Sequence, residues 1–274
     1  MQSEGLGNLR NKIIDFIKGE KRVGLVLGGG AARGIAHVGV LRVLFENGIP
    51  IHILVGTSSG ALFGSLYAGG LSVDTMELAS RRSGWNRLIR IALSRRGAVS
   101  GESMEKLVEE SIGERQFSDL HIPFAAVASD LRTGERVVLR EGNVARAVHA
   151  SSAIPGVFSP VLIGGRHLSD GMVTDNVPVD VAAEMGANFI IAVDVIPKLV
   201  LDRDPDNMVE VVERALDVGV RIANLPILAK ADIVIEPVVK NISPFGLNHA
   251  DELIGMGVEA ARKMMPEIKR KLKL

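Results

Sequence analysis

The sequence contains no cysteine, which excludes disulfides, thiol nucleophiles and cysteine metal sites. Aromatic residues make up only 4% of the chain, with a single tryptophan. Neither charge is in excess, because 32 Lys and Arg residues balance 32 Asp and Glu residues. The overall charge therefore gives no reason to expect nucleic-acid binding. A protein without cysteine fits the cytoplasm, which is the location we expect.

Residues 1–21 lack the charged, apolar and small-residue succession of a signal peptide, so we expect no secretory signal there. Residues 53–73 carry no charge, but their many glycine, serine and threonine residues suit a buried strand and helix better than a membrane span. With 274 residues, the chain is long enough for one buried core. We expect one domain over 1–274, with a helical extension over 1–21 and a helical, cap-like segment over 72–113.

Apolar strands alternate with helical segments along most of the chain, as in Phe189 to Val195, a strongly apolar strand. This alternation predicts an α/β protein whose mostly parallel sheet is covered by helices on both faces. Glycine-containing turns after residue 120 predict hairpins, so the sheet should be mixed. The predicted helices include Asn207 to Asn224 and a closing helix from His249 to about Lys273, interrupted at Pro266.

The stretch Gly56-Thr57-Ser58-Ser59-Gly60 lies between an apolar run and an uncharged helical segment. This is the strand–turn–helix context of a G-x-S-x-G nucleophile elbow, in which glycines allow a tight turn that exposes the serine at a helix N-terminus. The helix dipole favours negative charge that develops there. An ordinary Ser/Gly-rich turn is the alternative. Ser58 is therefore the candidate nucleophile.

A glycine-rich loop, Gly28-Gly29-Gly30-Ala31-Ala32-Arg33-Gly34, follows the first predicted strand. Small residues let successive backbone N–H groups converge on an anion. A dinucleotide site is disfavoured, because Ala31 and Arg33 replace required glycines and the next strand ends without an acidic residue. The loop instead suits an oxyanion hole that serves Ser58.

A serine nucleophile needs a base, and the sequence offers histidines and one notable aspartate. None of the six histidines lies in a Gly- or Pro-rich turn, and we expect all of them to be structural. Only His249 comes late enough for the chain order of α/β-hydrolases. Asp170-Gly171 follows a predicted strand, where a carboxylate can approach a serine. An ordinary turn aspartate is an equally good interpretation of this pair.

The three motifs, in this order and spacing, resemble the patatin-like phospholipases, and among them the compact bacterial members similar to the catalytic region of neuropathy target esterase. The resemblance covers about residues 22–194. It implies a three-layer α/β patatin-like fold, and a Ser58–Asp170 dyad that uses no histidine, cofactor or metal. It also implies an oxyanion hole formed by the N–H groups of Gly29, Gly30 and Ala31. The remaining motif residues are Gly28, Arg33, Gly34, Gly56, Gly60 and Gly171.

Two residues depart from the family pattern. Ala31 stands where glycine is common, and its N–H still donates if its φ is negative. Met172 stands where a small residue commonly follows Asp-Gly, so we expect it to alter the mouth of the pocket. Since a carboxylate of pKa near 4 is a weak base for a hydroxyl, catalysis should rely on the oxyanion hole and on a partly desolvated Asp170.

An arginine-rich stretch over residues 80–101 contains no acidic residue and carries the only tryptophan, Trp85. It predicts either a lid or membrane-contacting face, or a solvated helix whose leucines and isoleucines face the core. The arginines concerned are Arg81, Arg82, Arg87, Arg90, Arg95 and Arg96.

The sequence therefore predicts a serine acyl hydrolase that cleaves fatty-acyl esters, with phospholipid or lysophospholipid as substrate. The alternatives are a general carboxylesterase or thioesterase acting on soluble esters, and a non-catalytic regulatory adaptor of the same fold. We expect a cytoplasmic protein, with peripheral contact at the inner membrane face as a further expectation. The sequence leaves the oligomeric state open.

Overall fold

The computed structural model describes residues 21–81, 102–198, 204–239, 242–244 and 248–274. Except for Lys21, the helical extension predicted over 1–21 lies outside the described residues. So does the middle of the cap-like segment predicted over 72–113, of which residues 72–81 and 102–113 are described.

In the described part of the chain, eight strands form one sheet, in the order β5-β6-β3-β2-β1-β7-β8 with β4 also paired to β3. β1–β2, β1–β7, β2–β3 and β7–β8 are parallel, whereas β3–β4, β3–β6 and β5–β6 are antiparallel. This arrangement confirms a mostly parallel, mixed sheet. The strands are β1 (Val23–Leu27), β2 (Ile53–Thr57), β3 (Phe124–Asp130), β4 (Arg136–Leu139), β5 (Val161–Ile163), β6 (Arg166–Asp170), β7 (Phe189–Val193) and β8 (Ile233–Ile235).

Helices cover the sheet on both faces, which confirms the three-layer α/β arrangement. α1, α2, α4, α5 and α8 contribute to the larger core on one face, and α6 and the end of α7 pack on the other face. The helices are α1 (Ala36–Glu46), α2 (Ser59–Ala68), α3 (Val73–Arg81), α4 (Glu102–Ile112), α5 (Val144–Ser151), α6 (Val179–Glu184), α7 (Met208–Leu228) and α8 (Ala250–Leu272).

The central strands are apolar because both of their faces are buried. In β1, Leu25 and Leu27 belong to one core and Val26 to the other, as the two-residue period of a strand requires. β1 and β2 are parallel neighbours, with Leu27 paired to Gly56. The loops that follow these two strands therefore leave the same edge of the sheet, next to each other.

Two helix predictions were wrong in the same way. α7 continues beyond Asn224 to Leu228 and contains Pro226, and α8 continues through Pro266 to Leu272. A proline removes one helical N–H donor and leaves one carbonyl without its partner. Both prolines are exposed, so water can bind the freed carbonyls, and burial of Leu228 and Ile268 favours continuation of each helix.

Candidate active site

The serine of the predicted elbow lies between β2 and α2 in a strained backbone conformation. Ser58 has φ 54° and ψ −122°, a region that residues other than glycine rarely adopt. Its N–H donates to Ser151 Oγ at 2.9 Å, and this hydroxyl donates to the Val127 carbonyl at 2.5 Å. The elbow is thus held by a fully buried serine from α5 and a carbonyl from β3.

The glycines of the elbow are required by close packing. A Cβ on Gly60 would lie 2.0 Å from the Leu27 carbonyl oxygen, and a Cβ on Gly56 would lie 2.4 Å from the Gly60 carbonyl oxygen. A Cβ on Gly34 would lie 2.2 Å from Ser59 Oγ. The motif therefore lets the elbow turn pack directly against the end of β1 and the glycine-rich loop.

Asp170 ends β6, which lies across β3 from the end of β2. Along β3, Val127 pairs with Thr57 and the next residue, Ala128, pairs with Asp170. The Asp170 N–H donates to the Ala153 carbonyl at 2.9 Å, and its carbonyl accepts from Ser129 Oγ at 2.9 Å. A Cβ on Gly171 would lie 2.2 Å from the Val127 carbonyl oxygen, so glycine is required after the aspartate.

The Asp170 carboxyl group is fully buried and contacts Ser58. Oδ1 accepts from the Met172 N–H at 2.8 Å, and Oδ2 lies buried without a closely aligned donor. Burial raises the pKa of Asp170 from 3.8 to about 7, although hydrogen bonding from Ser58 and Met172 acts to lower it. The Ser58 hydroxyl is thus close enough to act on this pKa, although no well-aligned hydrogen bond joins it to Asp170. Hydrogen bonds of catalytic groups are often poorly aligned until substrate binds.

The three N–H groups expected to form the oxyanion hole differ in whether they already have a hydrogen-bond acceptor. The Gly29 N–H already donates to the Asn176 carbonyl at 3.2 Å, and Asn176 Nδ2 donates to the Gly29 carbonyl at 3.3 Å. The expectation for Gly29 therefore does not match this geometry. Neither the Gly30 N–H nor the Ala31 N–H has an acceptor among the described residues.

Ala31 adopts a positive φ of 51°, so the negative φ on which its donor role was made conditional is not observed. Its N–H nevertheless has no acceptor among the described residues, and it therefore remains available to an oxyanion. The residue begins the 3₁₀ turn Ala31–Ile35, where the chain bends sharply out of the glycine-rich loop. The Ala32 N–H donates to the Pro244 carbonyl at 2.8 Å, which fixes the next peptide and helps to enforce this conformation. A left-handed alanine costs about 1–2 kcal/mol and marks a second strained residue at the site.

Two side chains hold the loop from behind. His37 Nε2 lies 2.8 Å from the Gly28 carbonyl oxygen, and burial lowers the pKa of this histidine to about 4, so the neutral ring donates to the carbonyl. Arg33, also buried, donates to the Ile242 carbonyl at 2.7 Å and pairs with Asp217 at 2.8 Å. Arg33 therefore supports the loop.

Sequence reasoning gave no supporting role to Ser151, Asn176 or His37. His37 was one of six histidines expected to be structural, and the three motifs of the resemblance include neither Ser151 nor Asn176. Their contacts join residues 93, 147 and 9 positions apart, respectively, and the first two carry no local signal.

In the described part of the chain, no histidine hydrogen-bonds to Ser58 or Asp170. His249 is half-exposed at the start of α8 and lies 2.9 Å from Glu252. His149 pairs with Glu105 at 2.7 Å. These contacts give His249 no part in a conventional triad.

A largely apolar cavity opens beside Ser58, lined by residues from the elbow, the glycine-rich loop, α4 and the loop after α5. Ser59 Oγ and Ser152 Oγ are buried at this cavity without hydrogen-bond partners. Met172 contributes its N–H to Asp170 and is not part of the cavity wall, contrary to its expected effect on the pocket mouth. The lining residues are Ala31, Ala32, Ile35, Ser58, Ser59, Leu62, Phe63, Met104, Ser152, Ile154 and Phe158.

Of the six arginines expected at a lid or membrane face, Arg81 alone lies within the described residues. It pairs with Glu77 at 3.7 Å and with Asp251 at 3.1 Å. Among the described helices, none is both long and apolar enough to cross a bilayer. The same residues hold no cluster of three or more side chains arranged to bind a metal ion.

The sequence profile of the patatin-like phospholipases matches residues 25–183, which include the loop, the elbow and Asp170. The chain belongs to the patatin-like phospholipase family. A patatin-like phospholipase domain-containing protein of Caenorhabditis elegans is 38% identical over 63% of this chain and 13% of its own length. An NTE family protein of Mycobacterium tuberculosis is 31% identical over 95% of this chain and 48% of its own length. The chain thus spans about half or less of these relatives.

Among solved structures, VipD from Legionella pneumophila matches with a TM-score of 0.55 at 15% identity, over 90% of this chain and 67% of that one. The type III effector ExoU, from Pseudomonas aeruginosa, matches with a TM-score of 0.52 at 14% identity, over 91% of this chain and 53% of that one. At these identities the likeness concerns the fold. It agrees with the patatin-like architecture expected from the motifs.

Proposed function

We propose that this patatin-like protein is a serine acyl hydrolase in which Ser58 is the nucleophile and Asp170 the general base. One observation carries the proposal. A serine held at φ 54° contacts a fully buried carboxylate at the wall of an apolar cavity. Strained residues and raised carboxyl pKa values are both characteristic of catalytic sites.

The reaction follows from these groups. Asp170 accepts the hydroxyl proton as Ser58 Oγ attacks the ester carbonyl, and the N–H groups of Gly30 and Ala31 bind the resulting oxyanion. The intermediate collapses to an acyl-enzyme, and the departing alcohol takes the proton from Asp170. A water molecule then gives a proton to Asp170 and attacks the acyl-enzyme carbonyl. As the bond to Ser58 Oγ breaks, Asp170 returns this proton to Oγ, which releases the fatty acid and restores both residues.

The raised pKa of Asp170 suits it to this role. A carboxylate of pKa near 4 removes a hydroxyl proton poorly, whereas one of pKa about 7 is a stronger base and is still substantially ionised at neutral pH. Burial of Oδ2 without a donor supplies that basicity. The neutral His37 behind the loop adds no charge that would stabilise the carboxylate.

The apolar cavity supports a fatty-acyl ester as substrate, and a phospholipid or lysophospholipid is the class we propose. Its walls carry Leu62, Phe63 and Phe158, which suit a hydrocarbon chain. Hydrolysis of p-nitrophenyl esters of increasing acyl length, compared with phospholipid vesicles, tests this choice. Activity that peaks at short soluble esters and is absent on vesicles would favour the general carboxylesterase instead.

A fluorophosphonate probe tests the catalytic proposal directly. We expect covalent labelling of the wild type and none of Ser58→Ala, with kcat/KM reduced at least ~10³-fold in that variant. Ser65→Ala is the matched control, because Ser65 Oγ only donates to the Leu62 carbonyl within α2. Full labelling of Ser58→Ala, or loss of turnover in His249→Ala, would contradict the dyad.

A further inference from the structure

The described residues exposed on the outer face of α7 are all apolar. Met208 is 75% exposed, Leu216 56% and Ile222 55%. At helical spacing these positions form one continuous face along the helix. We call this surface the α7 patch, and its residues are Met208, Val211, Val212, Ala215, Leu216, Gly219, Ile222, Ala223, Leu225 and Pro226.

The charged residues of α7 face the body of the protein instead. Arg221 is buried, donates to Asp194 at 2.7 Å and also bonds Glu236. Asp217 pairs with the buried Arg33 at 2.8 Å. A surface helix ordinarily has the opposite arrangement, with its apolar side toward the core. Packing among the described residues therefore does not account for the apolar outer face.

The size of the α7 patch suits a protein interface. Its six large apolar side chains, each 46% to 75% exposed, present on the order of 500 Å². Even the largest apolar patch on a typical monomer measures about 300–600 Å², and a stable interface takes about 800 Å² from each partner. The patch is therefore among the larger ones for a monomer, and it would supply more than half of one partner's side of such an interface.

Gly219 lies at the centre of the α7 patch, and no atom lies within 4 Å of the Cβ it would carry. The chain uses glycines elsewhere where two helices cross closely. A Cβ on Gly39 of α1 would lie 2.1 Å from the Ile254 carbonyl oxygen, and one on Gly257 of α8 would lie 2.0 Å from the Ala36 carbonyl oxygen. Gly255 also has no atom within 4 Å of the Cβ it would carry, so this property alone does not indicate an interface. Gly219 differs because it lies at the midpoint of an exposed apolar face.

The patch is nearly symmetric about this glycine. Leu216 and Ile222 lie three residues on either side of Gly219, and Ala215 and Ala223 lie four residues on either side. A second helix running antiparallel across Gly219 would therefore meet large residues with large ones and alanine with alanine. We propose that two copies of the chain associate through the α7 patch, with their α7 helices antiparallel and crossing at Gly219 about a two-fold axis.

The charges around α7 favour a second copy over a lipid surface. A helix that lies on a membrane carries Lys and Arg along its polar face. The two cations of α7 are occupied, since Arg221 bonds Asp194 and Arg214 bonds the Lys198 carbonyl. Lys230, just beyond α7, is also occupied, because it pairs with Asp180 at 2.7 Å. The described cations on and next to α7 are therefore engaged within the chain and are not presented to lipid headgroups.

The mass of the full chain in solution tests the association. By light scattering or sedimentation at micromolar concentration, we expect a dimer of twice 29.2 kDa. Leu216→Glu should raise the dissociation constant about 100-fold or more, because each dimer carries the substitution twice. Phe45→Glu, at a 66% exposed side chain on α1, is the matched control and should leave the dimer intact.

The lack of cysteine permits a test of the register. Ala215→Cys/Ala223→Cys should form a disulfide-linked dimer on mild oxidation, because residue 215 of one copy meets residue 223 of the other. Neither single variant should form this dimer. In the antiparallel pair, the two copies of residue 215 are displaced by eight residues along the helix axis, as are the two copies of residue 223. At 1.5 Å per residue this displacement is about 12 Å, which is too far for a disulfide.

Three results would overturn the proposal. The first is a wild type that is monomeric at micromolar concentration. A monomer that binds vesicles, and loses this binding in Leu216→Glu, would count as the same result. The second is a dimer that Leu216→Glu does not weaken. The third is cross-linking of the single cysteine variants as efficient as that of the double variant. All of these measurements are independent of hydrolysis, so they do not depend on the proposed activity.

Discussion

Replacement of Asp170 by asparagine should stabilise the folded protein while it abolishes turnover. The amide oxygen can still accept the Met172 N–H bond, so the substitution mainly removes a buried negative charge. Folding raises the pKa of this carboxyl from 3.8 to about 7, a shift of about 3 units. At 1.36 kcal/mol per unit, the ionised form costs on the order of 4 kcal/mol of folding free energy.

The pH dependence of this effect has a definite sign. Because the folded state binds the proton more tightly, the protonated carboxyl contributes its full stability below the unfolded pKa of about 3.9. That contribution is lost as the pH rises through about 7. Wild type and Asp170→Asn should therefore be similar near pH 4, and the variant should be more stable by about 4 kcal/mol at pH 8.

Urea unfolding followed by circular dichroism, repeated from pH 4 to pH 9, measures the difference. Activity should follow the same group, with wild-type kcat/KM rising with pH to a plateau above an apparent pKa of about 7. Asp194→Asn is the contrast. Burial raises the pKa of the Asp194 carboxyl too, but this carboxylate bonds Arg221 and Asn224. Loss of its charge would leave the buried Arg221 without this partner, so the substitution should destabilise the fold. A stability difference between wild type and Asp170→Asn that stays constant over this pH range would refute the argument.

Two further substitutions separate the supporting serines from the nucleophile. Ser151→Ala should lower stability by about 2 kcal/mol and reduce kcat/KM at least ~10-fold. The reason is that the buried Ser58 N–H and the Val127 carbonyl both lose the Ser151 hydroxyl as a partner. If the kinetics of Ser151→Ala matched those of the Ser65→Ala control, a role of Ser151 in holding the elbow would be excluded. Ser152→Ala should leave stability unchanged or higher, since its buried hydroxyl has no partner, yet lower kcat/KM ~10-fold if that hydroxyl binds the ester. Equal kcat/KM for wild type and Ser152→Ala would show that the hydroxyl makes no contact with the reacting ester.

Much of the fold and the positions of the motifs could be predicted because the signals are local. The elbow sequence Gly56 to Gly60 specifies a tight turn between a strand and a helix, and the structure has that turn at Ser58. Hairpin glycines predicted the antiparallel strands after residue 120. Continuous apolar runs predicted the central strands because both faces of the sheet are covered.

The remaining features depend on contacts between distant residues. Nothing near Gly29 indicates that its N–H is bound by the carbonyl of Asn176. Alanine gives no local sign of a positive φ, so the conformation of Ala31 follows only from its surroundings. Periodicity identifies α7 as a helix, but which side faces outward depends on partners such as Asp194 and Arg33.

One contact, between Gly60 and the end of β1, both maintains the backbone strain at this site and aligns the elbow with the glycine-rich loop. A left-handed residue costs about 1–3 kcal/mol, and Ser58 and Ala31 each adopt this conformation within one site. Neither relaxes independently, because the Gly60 backbone packs against the carbonyl oxygens of Leu27 and Gly28, where the glycine-rich loop begins. The turn that carries Ser58 and the loop that carries the N–H groups of Gly30 and Ala31 are thus fixed to each other at one point. Any side chain at Gly60 would push Ser58 away from these N–H groups, so the proposed mechanism requires glycine at the end of the elbow.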